Sequence, residues 1–166
     1  MKNLIYLTLL SFLFVTCAKD GTKPSCPAHY TGANCDEQIT PTNIIINSVT
    51  VTKFPPTDNG AGWDLTSDPD CYISILRDGV SIFNNRATFQ ENATGSFMIP
   101  VNLTLPSGSD FFYTVFLFDF DDFDQDDFMG GIQGALYFST NGFPGSVDIS
   151  APNSAVSFTC NLSYTF

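Results

Sequence analysis

The sequence predicts an all-β protein, an antiparallel β-sandwich of seven or eight strands, and three observations lead there. Beyond Thr42 the chain is a series of short runs rich in β-branched and aromatic residues, separated by clusters of Gly, Pro, Asn and Asp. No stretch sustains a helical period of apolar residues. The C-terminal segment alternates strictly, with Val156, Phe158, Cys160, Leu162, Tyr164 and Phe166 on one face and Ser157, Thr159, Asn161, Ser163 and Thr165 on the other.

Taken in order, the chain opens with Lys2 and an apolar run from Leu4 to Val15, too short to span a bilayer as a helix and typical of a secretory signal. Residues 1–16 are therefore expected to be a signal peptide. Phe14-Val15-Thr16-Cys17 resembles the lipobox of bacterial lipoproteins, which implies lipid attachment at Cys17 and a bacterial outer-membrane or cell-surface location. Phe14 and Thr16 depart from the usual Leu and small residue, so ordinary cleavage and secretion remain the alternative. Residues 17–25, polar with Gly21 and Pro24, read as a tether.

Residues 26–37 contain Cys26 and Cys35 with Tyr30, Thr31 and Gly32 between them. This spacing resembles the last disulfide loop of an EGF-like module, with His29 where that family carries Gly. A piece this short has no core, so the expected role is a stapled spacer. If Cys17 carries lipid, four cysteines remain, and an even number in an exported chain implies disulfides. The expected pairs are Cys26 with Cys35 and Cys71 with Cys160, the latter two sharing parity with the buried faces of their strands.

The sandwich is expected over residues 42–166, with strands at 44–54, 71–76, 80–83, 97–105, 111–118, 132–138 and 155–166. Residues 111–118 are apolar almost without alternation, as in a central strand covered on both faces. Composition limits the function. Seventeen acidic residues against six Lys and Arg give a net charge of −11, which excludes nucleic acid, whose phosphates require clustered cations. The lone His29 lies inside the stapled loop, and no nucleophile motif or phosphate-cradling glycine loop is present, so no enzyme activity is expected.

Two acidic clusters at strand ends carry the chemistry. One holds Asp64 and Asp70; the other, residues 119–127, places six carboxylates in nine residues. Carboxylates so crowded repel one another unless a cation sits among them, and Ca²⁺ takes six to eight oxygen ligands. An EF-hand is excluded, since no frame supplies Gly at its sixth position with Glu at its twelfth. The sequence resembles a C2 domain at these loops. Asp64 and Asp70, followed by Cys71-Tyr72-Ile73, have the spacing of that family's first calcium loop, with Cys71 in place of Pro. Asp119, Asp121 and Asp127, followed by Phe128-Met129-Gly130, match the third. The resemblance implies that Asp64, Asp70, Asp119, Asp121 and Asp127 ligate Ca²⁺, and that the ion bridges to phospholipid head groups. A glycan or an acidic surface protein could take the same place, and the alternative function is a structural or adhesive surface subunit in which Ca²⁺ only rigidifies the loops. Phe123, Phe120 and Trp63 flank the expected ligands and are candidates for insertion into a membrane. Asp122, Asp124 and Asp126 are left without a role.

Overall fold

The computed structural model describes residues 25–106 and 112–166. The expected signal peptide, the lipid site at Cys17 and all of the tether but Ser25 lie outside the described residues. A small ribbon comes first: β1 (Tyr30–Thr31) pairs antiparallel with β2 (Glu37–Gln38), and a Cys26–Cys35 disulfide closes it. Eight further strands form the sandwich: β3 (Asn43–Lys53), β4 (Cys71–Arg77), β5 (Val80–Asn84), β6 (Phe97–Pro106), β7 (Phe112–Asp119), β8 (Asp127–Ala135), β9 (Ser146–Ile149) and β10 (Ser157–Thr165). They make two antiparallel four-stranded sheets, ordered β6-β3-β10-β9 and β5-β4-β7-β8.

The core lies between the sheets and follows the alternation of the strands. Val49, Val51, Phe158 and Cys160 from one sheet, with Val156 just before β10, meet Ile73, Ile75, Val115 and Leu117 from the other, all fully buried. Each such aliphatic or aromatic side chain contributes on the order of 1.5–3 kcal/mol when removed from water. In β3 the buried parity changes midway, from Ile44 and Ile46 to Val49 and Val51. A register shift between Ile46 and Ser48 accounts for it, because one extra residue on a strand reverses the faces that follow.

Four expectations are corrected. First, β8 begins at Asp127 rather than at residue 132, since Asp127 and Phe128 pair with Asp119 and Phe118 despite the acidic loop before them. Second, β9 was not anticipated: four residues, one of them Asp148, carry too little alternation to announce a strand.

Third, β7 is central in its sheet but not covered on both faces. Tyr113, Val115 and Leu117 are buried, while Phe116 and Phe118 point outward and shelter under one another and their neighbours. Phe116 and Phe118 make edge contacts with Phe128 at centroid distances of 5.4 and 5.6 Å, and Phe118 stacks on Tyr72 at 5.1 Å. Gly131 is required here, because a Cβ at that position would stand 2.1 Å from the Phe116 ring.

Fourth, Cys71 and Cys160 are free thiols, both buried. Both face inward as their parity indicates, but they belong to opposite sheets, and the Cys71 sulfur lies 3.6 Å from that of Met129 instead. Sheets packed face to face stand about 10 Å apart, beyond the roughly 7 Å that a disulfide spans between Cα atoms. Burial, with nearby Asp119 for Cys71, pushes both thiols up to about 12. Thiol titration of the non-reduced protein is therefore expected to find neither cysteine reactive in the native state and both reactive in denaturant. Two buried thiols missing after denaturation would contradict the structure.

Candidate metal centre

The two acidic clusters meet at one end of the sandwich because of strand register. Cys71 pairs with Asp119 and Asp119 with Asp127, so the starts of β4 and β8 and the end of β7 lie side by side. The loops are tied together at Asp70. Its N–H donates to Asp119 Oδ1 at 2.7 Å, its carbonyl accepts from the Phe120 N–H at 2.8 Å, and its Oδ1 accepts from the Asn92 N–H at 2.7 Å.

Asp119 is completely buried, and its second oxygen, Oδ2, has no hydrogen-bond partner. An ionised carboxylate in this position is costly, since only one of its two oxygens has a donor and neither reaches water. Burial pushes its pKa up to about 7; the Asp70 N–H opposes the rise, and the charges of Asp64, Asp121 and Asp70 add to it. Asp121 is also raised, by burial and then by Asp127, Asp64, Asp126 and Asp124. The residues expected to bind Ca²⁺ therefore occupy one electrostatic neighbourhood.

They do not form a finished cage. Among the described residues no three His, Cys, Asp or Glu side chains are gathered closely enough to hold an ion as they stand. Asp64 accepts a hydrogen bond from Ser67 Oγ at 3.0 Å, and Asp127 lies exposed at the start of β8. Between the loops is an open cleft of about 450 Å³, lined in part by Asp64, Asp70, Asp121 and Asp124. The donor set is all oxygen and strongly anionic, which suits a hard divalent cation such as Ca²⁺.

The apolar side chains around the cleft divide differently from expectation. Phe123 stands fully in solvent, at 102% of its reference exposure. Leu65, on the facing loop, is exposed to 104% and was not anticipated, because a single Leu between Asp64 and Thr66 carries no periodic signal. Trp63 and Phe120 are not tips. Trp63 packs against the core and donates its indole N–H to the Pro55 carbonyl at 2.9 Å. Phe120 stacks on Phe89 with ring centroids 4.4 Å apart, and the Arg86 guanidinium lies 4.4 Å from its ring centre.

Arg86 also gives Asp126 a role that spacing did not reveal. Its Nε and Nη2 donate to the two carboxylate oxygens of Asp126 at 2.6 and 2.8 Å, and the Tyr72 hydroxyl adds a third bond at 2.7 Å. Asp126 Oδ1 in turn accepts from the Asp121 N–H at 3.2 Å. The Arg86 guanidinium, helped by Tyr72, holds the Asp126 carboxyl down at about 2. Asp126 is thus a brace for the loop that presents Asp121, fixed by a forked pair that Lys cannot copy. Arg86→Ala is expected to speed amide exchange at Asp121 by about three- to tenfold, roughly what one lost hydrogen bond is worth. Core amides of β4 and β7 should stay protected, so unchanged exchange at Asp121 would refute the brace.

No protein-family model matches the chain, and no curated protein matches it. Solved structures that it resembles include a C2 domain, with 13% identity, 73% of this chain and 97% of that one covered, and a TM-score of 0.48. Another is a C2 domain protein from Ramazzottius varieornatus, with 13% identity, 76% and 91% coverage and a TM-score of 0.45. A third is human GIVD cytosolic phospholipase A2, with 14% identity and a TM-score of 0.46, where 76% of this chain aligns with 16% of that one.

Proposed function

We propose that this protein is an exported, lipid-anchored, calcium-dependent binding module without enzymatic activity, whose acidic end attaches to phospholipid. The observation that supports it most is the buried, unpartnered Asp119 oxygen behind Asp70, which itself lines a carboxylate cleft whose two rims each carry a fully exposed apolar side chain, Leu65 and Phe123. Asp64, Asp70, Asp119, Asp121 and Asp127 would hold the ion. When bound, Ca²⁺ supplies positive charge that offsets the loop carboxylates and leaves coordination open to a phosphate oxygen.

Each part of the arrangement has a distinct task in this reading. Asp119 anchors the ion at the end of the sheet, Asp70 ties that anchor to the first loop, and the Arg86–Asp126 pair holds the second loop near it. Leu65 and Phe123 then enter the apolar side of the interface, where transfer of their surface from water is favourable. Without the ion, a chain of net charge −11 is repelled by an anionic membrane.

Co-sedimentation with phosphatidylserine-containing vesicles in millimolar Ca²⁺ and in EGTA tests the proposal. Binding in Ca²⁺ that EGTA reverses is expected. No binding in either condition, together with a melting temperature that rises in Ca²⁺, would instead favour the structural role in which the ion only stiffens the loops. A melting temperature indifferent to Ca²⁺ would remove the metal site itself.

A further inference from the structure

Four edge strands bound the sandwich sheets, β6 and β9 in one and β5 and β8 in the other. An edge strand presents a row of unpaired N–H and C=O groups on which another strand can pair, and short strands, prolines, bulges or charges guard against it. Three of the four edges carry such guards. β6 contains Pro100 and Pro106 and a register shift against β3. β9 is four residues long and holds Asp148, and β5 is five residues long and entered through Arg77 and Asp78. By contrast, β8 has nine residues, no proline and no charge after Asp127. Its register shift lies near the Asp127 end, which leaves Gly130 to Ala135 in regular pairing with β7. Among the described residues β8 is bonded to β7 alone, and no other backbone hydrogen bond reaches residues 127–135.

The chemistry of this edge says what can pair with it. An unpaired strand edge is satisfied by a second extended strand, which must itself be exposed and free of opposing charge. Among the described residues β8 is itself such a strand, since Gly131 and Gln133 are exposed and the chain is uncharged from Phe128 through Val147. Copies of a chain with net charge −11 repel one another through their acidic loops. Contact along β8 avoids those loops. Phe112, Phe128 and Phe138, each more than half exposed, lie opposite the end of β8, in it and just after it, so a sheet continued past this edge would shield apolar surface as well.

We propose that two copies of this chain pair through β8, antiparallel about a twofold axis, so that two four-stranded sheets continue as one of eight strands. The direction follows from Asp127. A parallel pair would stand the two Asp127 side chains next to each other, whereas a fully overlapping antiparallel pair sets them at opposite ends of a nine-residue strand, about 27 Å apart. Each copy offers the same strand, so the contact is self-complementary and closes at two. The guards on β5, β6 and β9 leave no second edge on which a filament could grow. The pairing needs no bound ion and does not rest on the calcium or phospholipid reading.

Sedimentation of residues 17–166 carrying Cys17→Ser tests it, in EGTA and from about 1 µM to 0.5 mM, a range that covers micromolar and sub-millimolar dissociation constants. A monomer–dimer equilibrium with nothing larger is expected. A monomer at every concentration, or growth beyond the dimer, would overturn the proposal. Amide exchange then locates the contact: alternate amides of residues 128–135 should exchange about tenfold slower in the dimer than in the monomer, with the edges of β5, β6 and β9 unchanged. Protection at another edge in place of β8 would also overturn it. Gln133→Lys, at an exposed position of β8, should weaken the dimer by about tenfold or more. Thr104→Lys makes the same change in net charge at an exposed position of β6 and should leave dimerisation within about twofold of native. A dimer equally stable in both variants would show that β8 is not the contact.

Discussion

Asp119→Asn is expected to make the calcium-free protein more stable and to abolish its stabilisation by Ca²⁺. The folded chain holds this carboxyl fully buried, with one oxygen unpartnered, and its pKa is pushed up to about 7. A carboxyl raised above its unfolded value near 3.9 binds its proton more tightly when folded, so it opposes folding once ionised. That cost grows as pH rises from about 4 to 7 and is complete above. Without Ca²⁺, the melting temperature of the native sequence should therefore decline across this window through Asp119, and the Asn variant should lack that component. Asn keeps the oxygen that accepts from the Asp70 N–H and replaces the orphaned one with a neutral amide. At pH 8 the gain should be on the order of 2–4 kcal/mol, or roughly 10 °C in Tm for a domain of this size. The native protein should instead gain about 2.7 kcal/mol from Ca²⁺ at a hundred times its Kd. Scanning calorimetry of both proteins with EGTA and with Ca²⁺ reads all of this. An Asn variant that melts lower than the native protein and still responds to Ca²⁺ would show that Asp119 is a structural acceptor and no ligand.

Changing both tip residues, Leu65→Ser and Phe123→Ser, is expected to remove vesicle binding at saturating Ca²⁺ while leaving calcium binding in place. Each side chain is fully exposed, so neither contributes to the core, and surface substitutions of this kind change stability by about 0.5 kcal/mol or less. Burying a Leu or a Phe in an apolar interface is worth about 1.5–3 kcal/mol each, so losing both should weaken partition by roughly a hundred- to ten-thousandfold. The calcium-induced rise in melting temperature should be that of the native protein. Phe120→Ser is the informative contrast, because Phe120 is held between Phe89 and Arg86 and its loss should disturb the loop itself. Full vesicle binding by the Leu65 and Phe123 double variant would mean that contact is electrostatic alone, through the ion.

The two substitutions separate the parts of the cleft that spacing identified from those it did not. Asp64, Asp70, Asp119, Asp121 and Asp127 are singled out along the chain by the resemblance of their spacing to C2 calcium loops, since charge crowding alone does not separate them from Asp122, Asp124 and Asp126. The apolar tip was legible only at Phe123, whose aspartate neighbours make an apolar position conspicuous. Phe120 has equally acidic neighbours and Trp63 one, Asp64, yet Trp63 and Phe120 fold back onto a backbone carbonyl and a stacked ring that lie 8 and 31 positions away. Leu65 shows the converse, an ordinary residue that the loop's path leaves in solvent.

Alternation by itself determined the all-β class, the inward face of β10 and the burial of both Cys71 and Cys160, because a strand's period of two is a local property of the backbone. What it could not determine was which inward residues meet. Cys71 and Cys160 face inward from opposite sheets, and only the stacking of those sheets decides that they stay apart. The same reason governs Asp126 and the ribbon. Arg86 is 40 positions from Asp126, and His29 is joined to Phe166 across nearly the whole chain. Such partners are chosen by register and sheet order, and these set distances that no local pattern encodes.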